Sequence, residues 1–71
     1  MSRYLIVIEE TETGYSAYSP DLDGCVATGA TREEVEKMMK EAIEFHLEGF
    51  RAENLPVPKP HSFSTYLEVS A

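Results

Sequence analysis

The amino-acid sequence predicts an α+β two-layer sandwich of order β-β-β-α-β, with one helix packed on a four-stranded, mostly antiparallel sheet. Three observations predict it. Short apolar or alternating runs mark strands near both ends of the chain, one long stretch between them carries apolar residues at three- and four-residue spacing, and Gly and Pro punctuate the joints. The chain has 71 residues, which makes 1–71 a single domain, because domains usually need about 50 residues or more.

Arg3 to Glu10 reads as the first strand, with Tyr4, Ile6 and Ile8 on one face and Leu5 and Val7 on the other. Apolar residues on both faces are the mark of a central strand. The polar run Glu9 to Gly14 is a hairpin connection to a second strand, Tyr15 to Ser19, which Pro20 stops. Pro20-Asp21-Leu22-Asp23-Gly24 is dense in turn formers, and Cys25 to Thr28 supplies a short third strand ending at Gly29.

Thr31-Arg32-Glu33-Glu34 has the form of a capping box, so a helix is expected to start there. Val35, Met38, Met39, Ala42, Ile43, Leu47 and Phe50 form its apolar stripe, and Glu33/Lys37 and Glu36/Lys40 stand at i,i+4 on the outer face. Its end is expected near Gly49. Leu55 to Pro60 has proline at every second position and reads as an extended crossing segment. Phe63, Thr65, Leu67 and Val69 then alternate with Ser64, Tyr66 and Glu68, which predicts the last strand.

A chain this short hides only about 60% of the surface that its unfolded form exposes, so it needs a supplement to its core. Cys25 is the single cysteine and the two histidines are scattered, so neither a disulfide nor a metal cluster is expected. Self-association into a dimer or tetramer is the supplement expected instead, with a second subunit covering the other face of the first strand. Thirteen acids against six basic residues give a net charge of −7, which argues against phosphate-mediated nucleic-acid binding and suits either a basic partner or simple solubility. No signal-peptide pattern opens the chain and no apolar run approaches the roughly 20 residues of a membrane span, so a cytoplasmic protein is expected.

The densest local signal runs from Gly14 through Tyr15, Pro20-Asp21-Leu22, Gly24-Cys25, Gly29 and Thr31 to Glu33-Glu34. It resembles the GY-x-A-x-x-PDL-x-GC-x-x-x-G-x-T-x-EE pattern of the HicB-like family, the antitoxin half of HicA/HicB toxin–antitoxin pairs. The apolar strand before it, the acidic helix after it and the Pro-rich stretch before a last strand extend the resemblance over nearly the whole chain. The resemblance implies a partial ribonuclease-H-like fold, self-association, and a function of covering a small basic HicA-like toxin that cleaves mRNA. Many HicB proteins continue into a C-terminal DNA-binding domain, whereas this sequence ends at Ala71, so no direct DNA binding is expected of it.

Candidate partner-binding residues follow from the same stretch and from the acidic helix. Tyr15 and Tyr18 lie on opposite faces of the second strand, so one packs in the core and the other is a candidate interface anchor. Pro20, Asp21, Leu22 and Asp23 form the candidate contact loop, and Glu36, Glu44 and Glu48 form an acidic face able to steer a basic partner. Asp21 and Asp23 also raise the possibility of a hydrolase, but a two-metal nuclease needs carboxylates converging from several elements, typically including the central strand. That strand reads Tyr4-Leu5-Ile6-Val7-Ile8, so no catalytic residue, cofactor or metal site is expected. His46 reads as a boundary histidine, His61 as exposed, and Cys25, Met38 and Met39 as core. The competing reading is an orphan self-associating module, structural or small-ligand-binding, with no toxin partner.

Overall fold

The computed structural model describes residues 2–71. Strands β1 (Val7–Thr11), β2 (Gly14–Tyr18) and β3 (Val26–Gly29) form an antiparallel meander in the order β1-β2-β3, followed by helix α1 (Arg32–Ala52). The class agrees with the α+β expectation. The sheet has three strands among the described residues, however, and the expected fourth strand at Phe63 to Val69 joins no ladder.

The register explains where β1 begins. Val7 faces Tyr18, so Ile6 would face Ser19 and Leu5 would face Pro20. Pro20 has no N–H to give. Ser19 instead turns its amide to the Cys25 carbonyl (3.4 Å) and its hydroxyl to the Leu5 carbonyl (2.9 Å). The ladder therefore starts at Val7 rather than Arg3. At its other end β1 runs on to Thr11, which pairs with Gly14 and leaves only Glu12 and Thr13 in the turn.

Helix α1 is fixed at both ends by its sequence. The Thr31 hydroxyl accepts from the Glu34 amide (3.1 Å), and Glu34 Oε1 accepts from the Ala30 amide (3.1 Å), one residue earlier than the usual reciprocal capping bond. The helix continues past Gly49 to Ala52 because Asn54 adopts φ 56°, the left-handed turn that ends helices. The Leu55 amide then bonds the Phe50 carbonyl (2.9 Å) and the Asn54 amide the Arg51 carbonyl (3.1 Å), completing a Schellman motif. On the outer face, the ion pair within 4 Å is Arg32–Glu36 (3.7 Å), not the expected Glu33/Lys37 and Glu36/Lys40. Such exposed pairs are worth at most about 0.5 kcal/mol.

The core consists of Ala17, Leu22, Cys25, Val35 and Met39, with Ile6, Ile8, Tyr15, Ala27, Ile43 and Leu47 packed around it. Full burial of each large member stabilises the fold by about 1.5–3 kcal/mol. Gly29 lets the helix descend onto β3, since a Cβ there would lie 2.8 Å from the Val35 nitrogen. Gly24 has φ 74° and closes the loop between β2 and β3. The helix covers β3 and β2, leaving the β1 edge beside it open.

Candidate functional site

Helix α1 lies on one face of the sheet, and cross-strand pairing decides which side chains reach the other. Val7, Tyr18 and Val26 stand opposite one another on three adjacent strands and form a row on the face turned away from the helix. Tyr18 is 43% exposed and Val26 is 65% exposed, whereas Tyr15 shares the helix-side face with Ala17 and packs against the core. Tyr18 is therefore the outward tyrosine of the two.

The loop Ser19–Gly24 behaves differently from the surface loop its composition suggests. The Leu22 amide bonds the Ser19 carbonyl and the Cys25 amide bonds the Leu22 carbonyl, both at 3.2 Å, which folds the loop inward. Leu22 is 1% exposed and belongs to the core, so its side chain offers no contact surface in this conformation. Pro20 and Asp23 are exposed on either side of it. Burial also pushes the Cys25 thiol upward from its usual range, which favours the protonated form.

Asp21 is also buried, 8% exposed overall, and it binds the chain to itself. Its Oδ2 accepts from the amides of His61 (3.0 Å) and Ser62 (3.2 Å), and its Oδ1 accepts from the Ser62 hydroxyl (2.6 Å). His61 Nδ1 lies 3.3 Å from the same Oδ1 and 3.0 Å from the Lys59 carbonyl. The Ser62 hydroxyl above all, then the two amides and the His61 ring, hold the carboxyl below its ordinary range against the opposing effect of burial. With the Tyr4 hydroxyl donating to the Pro58 carbonyl, this latch ties residues 58–62 to the body of the domain. Both oxygens of Asp21 are thus engaged, Oδ2 by two backbone amides and Oδ1 by the Ser62 hydroxyl, and Asp23 shares none of those bonds.

The acidic residues of the helix fall into two settings. Glu36 and Glu44 border an apolar groove of about 560 Å³ between the helix and the start of β1, floored by Tyr4, Ile6, Met39, Ile43 and Leu47, with Lys40 and Arg51 also at its rim. Glu41, Glu44 and Glu48, with Leu47 and Arg51, surround Phe45, which is 78% exposed. Phe45 was not among the residues expected at a surface site. Its signal is its position off the apolar stripe, flanked by acids three and four residues away on the helix. His46 sits at the edge of the stripe with its ring T-shaped against Phe50 at 5.3 Å.

These placements give two exposed surfaces: an apolar row on the bare sheet face next to Pro20, and an acidic helix face centred on Phe45. Among the described residues no helix is long and apolar enough to cross a membrane. Neither surface gathers the convergent titratable groups of a catalytic centre. Each places an exposed aromatic residue, Tyr18 or Phe45, among polar neighbours.

The chain is 44% identical over 57 residues to a UPF0150 protein of Synechocystis, covering 79% of this chain and 72% of that one. It is 40% identical over 65 residues to a UPF0150 protein of Helicobacter pylori, covering 90% of each. An uncharacterized 14.9 kDa protein of Haemophilus phage HP1 is 38% identical over 64 residues, and the match spans about half of that protein (48%). The fold is similar to a chain of the solved HicA3 and HicB3 toxin–antitoxin complex, with a TM-score of 0.71 and 37% identity over 83% of this chain and 70% of that one. A family model for the HicB-like antitoxin of bacterial toxin–antitoxin systems matches residues 4–70, and the chain belongs to that family.

Proposed function

We propose that this chain neutralises a small basic HicA-like toxin that cleaves mRNA, by binding and covering it rather than by catalysis. The observation that carries this reading is the similarity to a chain of the HicA3 and HicB3 complex over 83% of the sequence. The net charge of −7 and the Phe45 surround of Glu41, Glu44 and Glu48 support it, because acids around an aromatic anchor suit a basic protein surface. The same charge argues against DNA contact by residues 1–71. The setting proposed is the cytoplasm, where an mRNA-cleaving partner would act.

The test is to look for a short basic reading frame beside this gene and to co-express its product with this chain. The expected result is co-purification of its product with this chain and loss of its RNA cleavage in the complex. Reversing Glu41, Glu44 and Glu48 to Lys should lower the association rate by about tenfold or more and flatten its salt dependence, with the helix signal in circular dichroism unchanged. Unchanged rates would reject the acidic face as the contact surface. If no basic product co-purifies, the orphan self-associating module becomes the better reading, favoured by the exposed apolar residues at the C-terminal end.

A further inference from the structure

Phe45 stands on α1 with 78% of its surface exposed, while Val35, Met39, Ile43 and Leu47 supply the helix's share of the core. A phenyl ring left in water forgoes the roughly 1.5–3 kcal/mol that its burial would contribute, so the fold draws little on it. Around the ring lie Glu41, Glu44 and Glu48, with Leu47 and Arg51. Glu41 comes one turn before Phe45 and Glu48 one turn after it, about 6 Å and 4.5 Å along the helix axis. Two carboxylates therefore flank one exposed ring.

The chain does not neutralise these acids itself. Among the described residues the ion pairs within 4 Å are Arg32–Glu36 and His61–Asp21. Lys37 and Lys40 stand four residues before Glu41 and Glu44, the less favourable order for a helical pair, because the macrodipole prefers the acid on the N-terminal side. Arg51 borders the patch without joining an ion pair within that distance. Three acids against this one arginine leave the patch with a surplus of negative charge.

We propose that this face of α1 takes an arginine side chain of a basic protein partner, its guanidinium flat on the Phe45 ring and its N–H groups on the carboxylates of Glu41 and Glu48. Charge complementarity selects the partner, since both the patch and a chain of net charge −7 repel an acidic protein. Geometry selects arginine over lysine. A planar guanidinium stacks on a phenyl ring and still directs N–H groups sideways to acids at both ends, whereas an ammonium is a compact, more strongly hydrated point charge. A quaternary ammonium ligand is recognised by a cage of several rings, and this patch holds one. The inference deepens the proposed function and rests on it for the partner, not for the preference for arginine.

The experiment titrates the isotope-labelled full chain with two acetylated, amidated peptides of equal charge, one of four Gly-Arg repeats and one of four Gly-Lys repeats, followed by nuclear magnetic resonance. The Phe45 ring and the Glu41 and Glu48 carboxyl signals should shift with the arginine peptide, which should bind about threefold or more tightly than the lysine peptide. Phe45→Leu, which keeps an apolar side chain but removes the ring, should abolish that preference with the helix signal in circular dichroism unchanged, and Phe45→Tyr should retain it. Equal binding of the two peptides, shifts confined to residues outside the patch, or a preference that survives Phe45→Leu would each overturn the proposal. Where a basic product co-purifies, Phe45→Ala should weaken its complex with this chain by about tenfold or more, as for the loss of an interface anchor. An undiminished complex would overturn the arginine site and leave the antitoxin reading intact. An arginine preference with no co-purifying product would do the reverse, so the two readings fail separately.

Discussion

The Ser19–Gly24 loop and the Phe63–Val69 segment have exchanged the environments their sequences suggest. The loop is built of turn formers, yet it contributes Leu22 to the core and Asp21 to a buried latch. The segment is built of alternating apolar residues, yet it lies exposed and unpaired. The difference lies in where each backbone finds hydrogen-bond partners. The loop closes on itself through Ser19, Leu22 and Cys25, and so can enter the interior without orphaned amides. The segment has no strand beside it to complete, and a strand alone cannot bury its backbone.

Three measurements would sharpen or break that contrast. The largest effect belongs to the loop: Leu22→Ala should destabilise the domain by about 2–5 kcal/mol in urea unfolding, the range for a large side chain deleted from a packed core. A loss of less than about 1 kcal/mol would mean that the loop is peripheral after all.

The junction of the two regions comes next. The folded Asp21 carboxyl titrates below its ordinary range, so the latch contributes stability above the unfolded value of about 4 and loses it as pH falls through the folded one. Hydrogen exchange at the His61 and Ser62 amides should therefore accelerate, relative to amides in β2, as pH falls below about 4. Asp21→Asn should produce the same release at neutral pH, on the order of tenfold, while β2 and α1 stay protected. Equal acceleration everywhere would make Asp21 a general stabiliser rather than a latch.

The smallest effect is expected in the tail. Leu67→Ser in dilute, monomeric chain should change unfolding stability by less than about 0.5 kcal/mol, as for any exposed position. A larger loss would show that the segment packs within its own copy.

Most of the fold is legible in the sequence because it is written locally. The Thr31 cap needs only Glu34, and the hairpin needs only Thr11 and Gly14 at a fixed spacing. The stop at Asn54 was also local but was outweighed by Gly49, which sits inside the helix with open space where a Cβ would be. The latch was not legible, since Asp21 and Ser62 are 41 residues apart and either polar side chain alone reads as surface. Leu22 was hidden for the same reason: its burial depends on Val35 and Met39 arriving from the helix. Of the candidate surface, alternation shows that one of Tyr15 and Tyr18 faces outward without showing which, and of the acids beside Phe45 the sequence reading has Glu44 and Glu48 but not Glu41. Phe45 is absent from it too, because one aromatic outside a stripe becomes visible only once the helix has a covered side.

The left-handed turn at Asn54 also acts as a compass. Each helical residue rotates the chain by about 100°, so the length of the helix sets the bearing on which Leu55 to Pro60 departs. On the present bearing the prolines carry the chain back past Tyr4 to the Asp21 loop. One residue added before Asn54 would swing the exit by about 100° and aim the C-terminal segment away from its anchorage, with the core untouched. Where residues 58–62 find their anchorage is thus decided by counting residues in a helix that touches neither Asp21 nor the prolines.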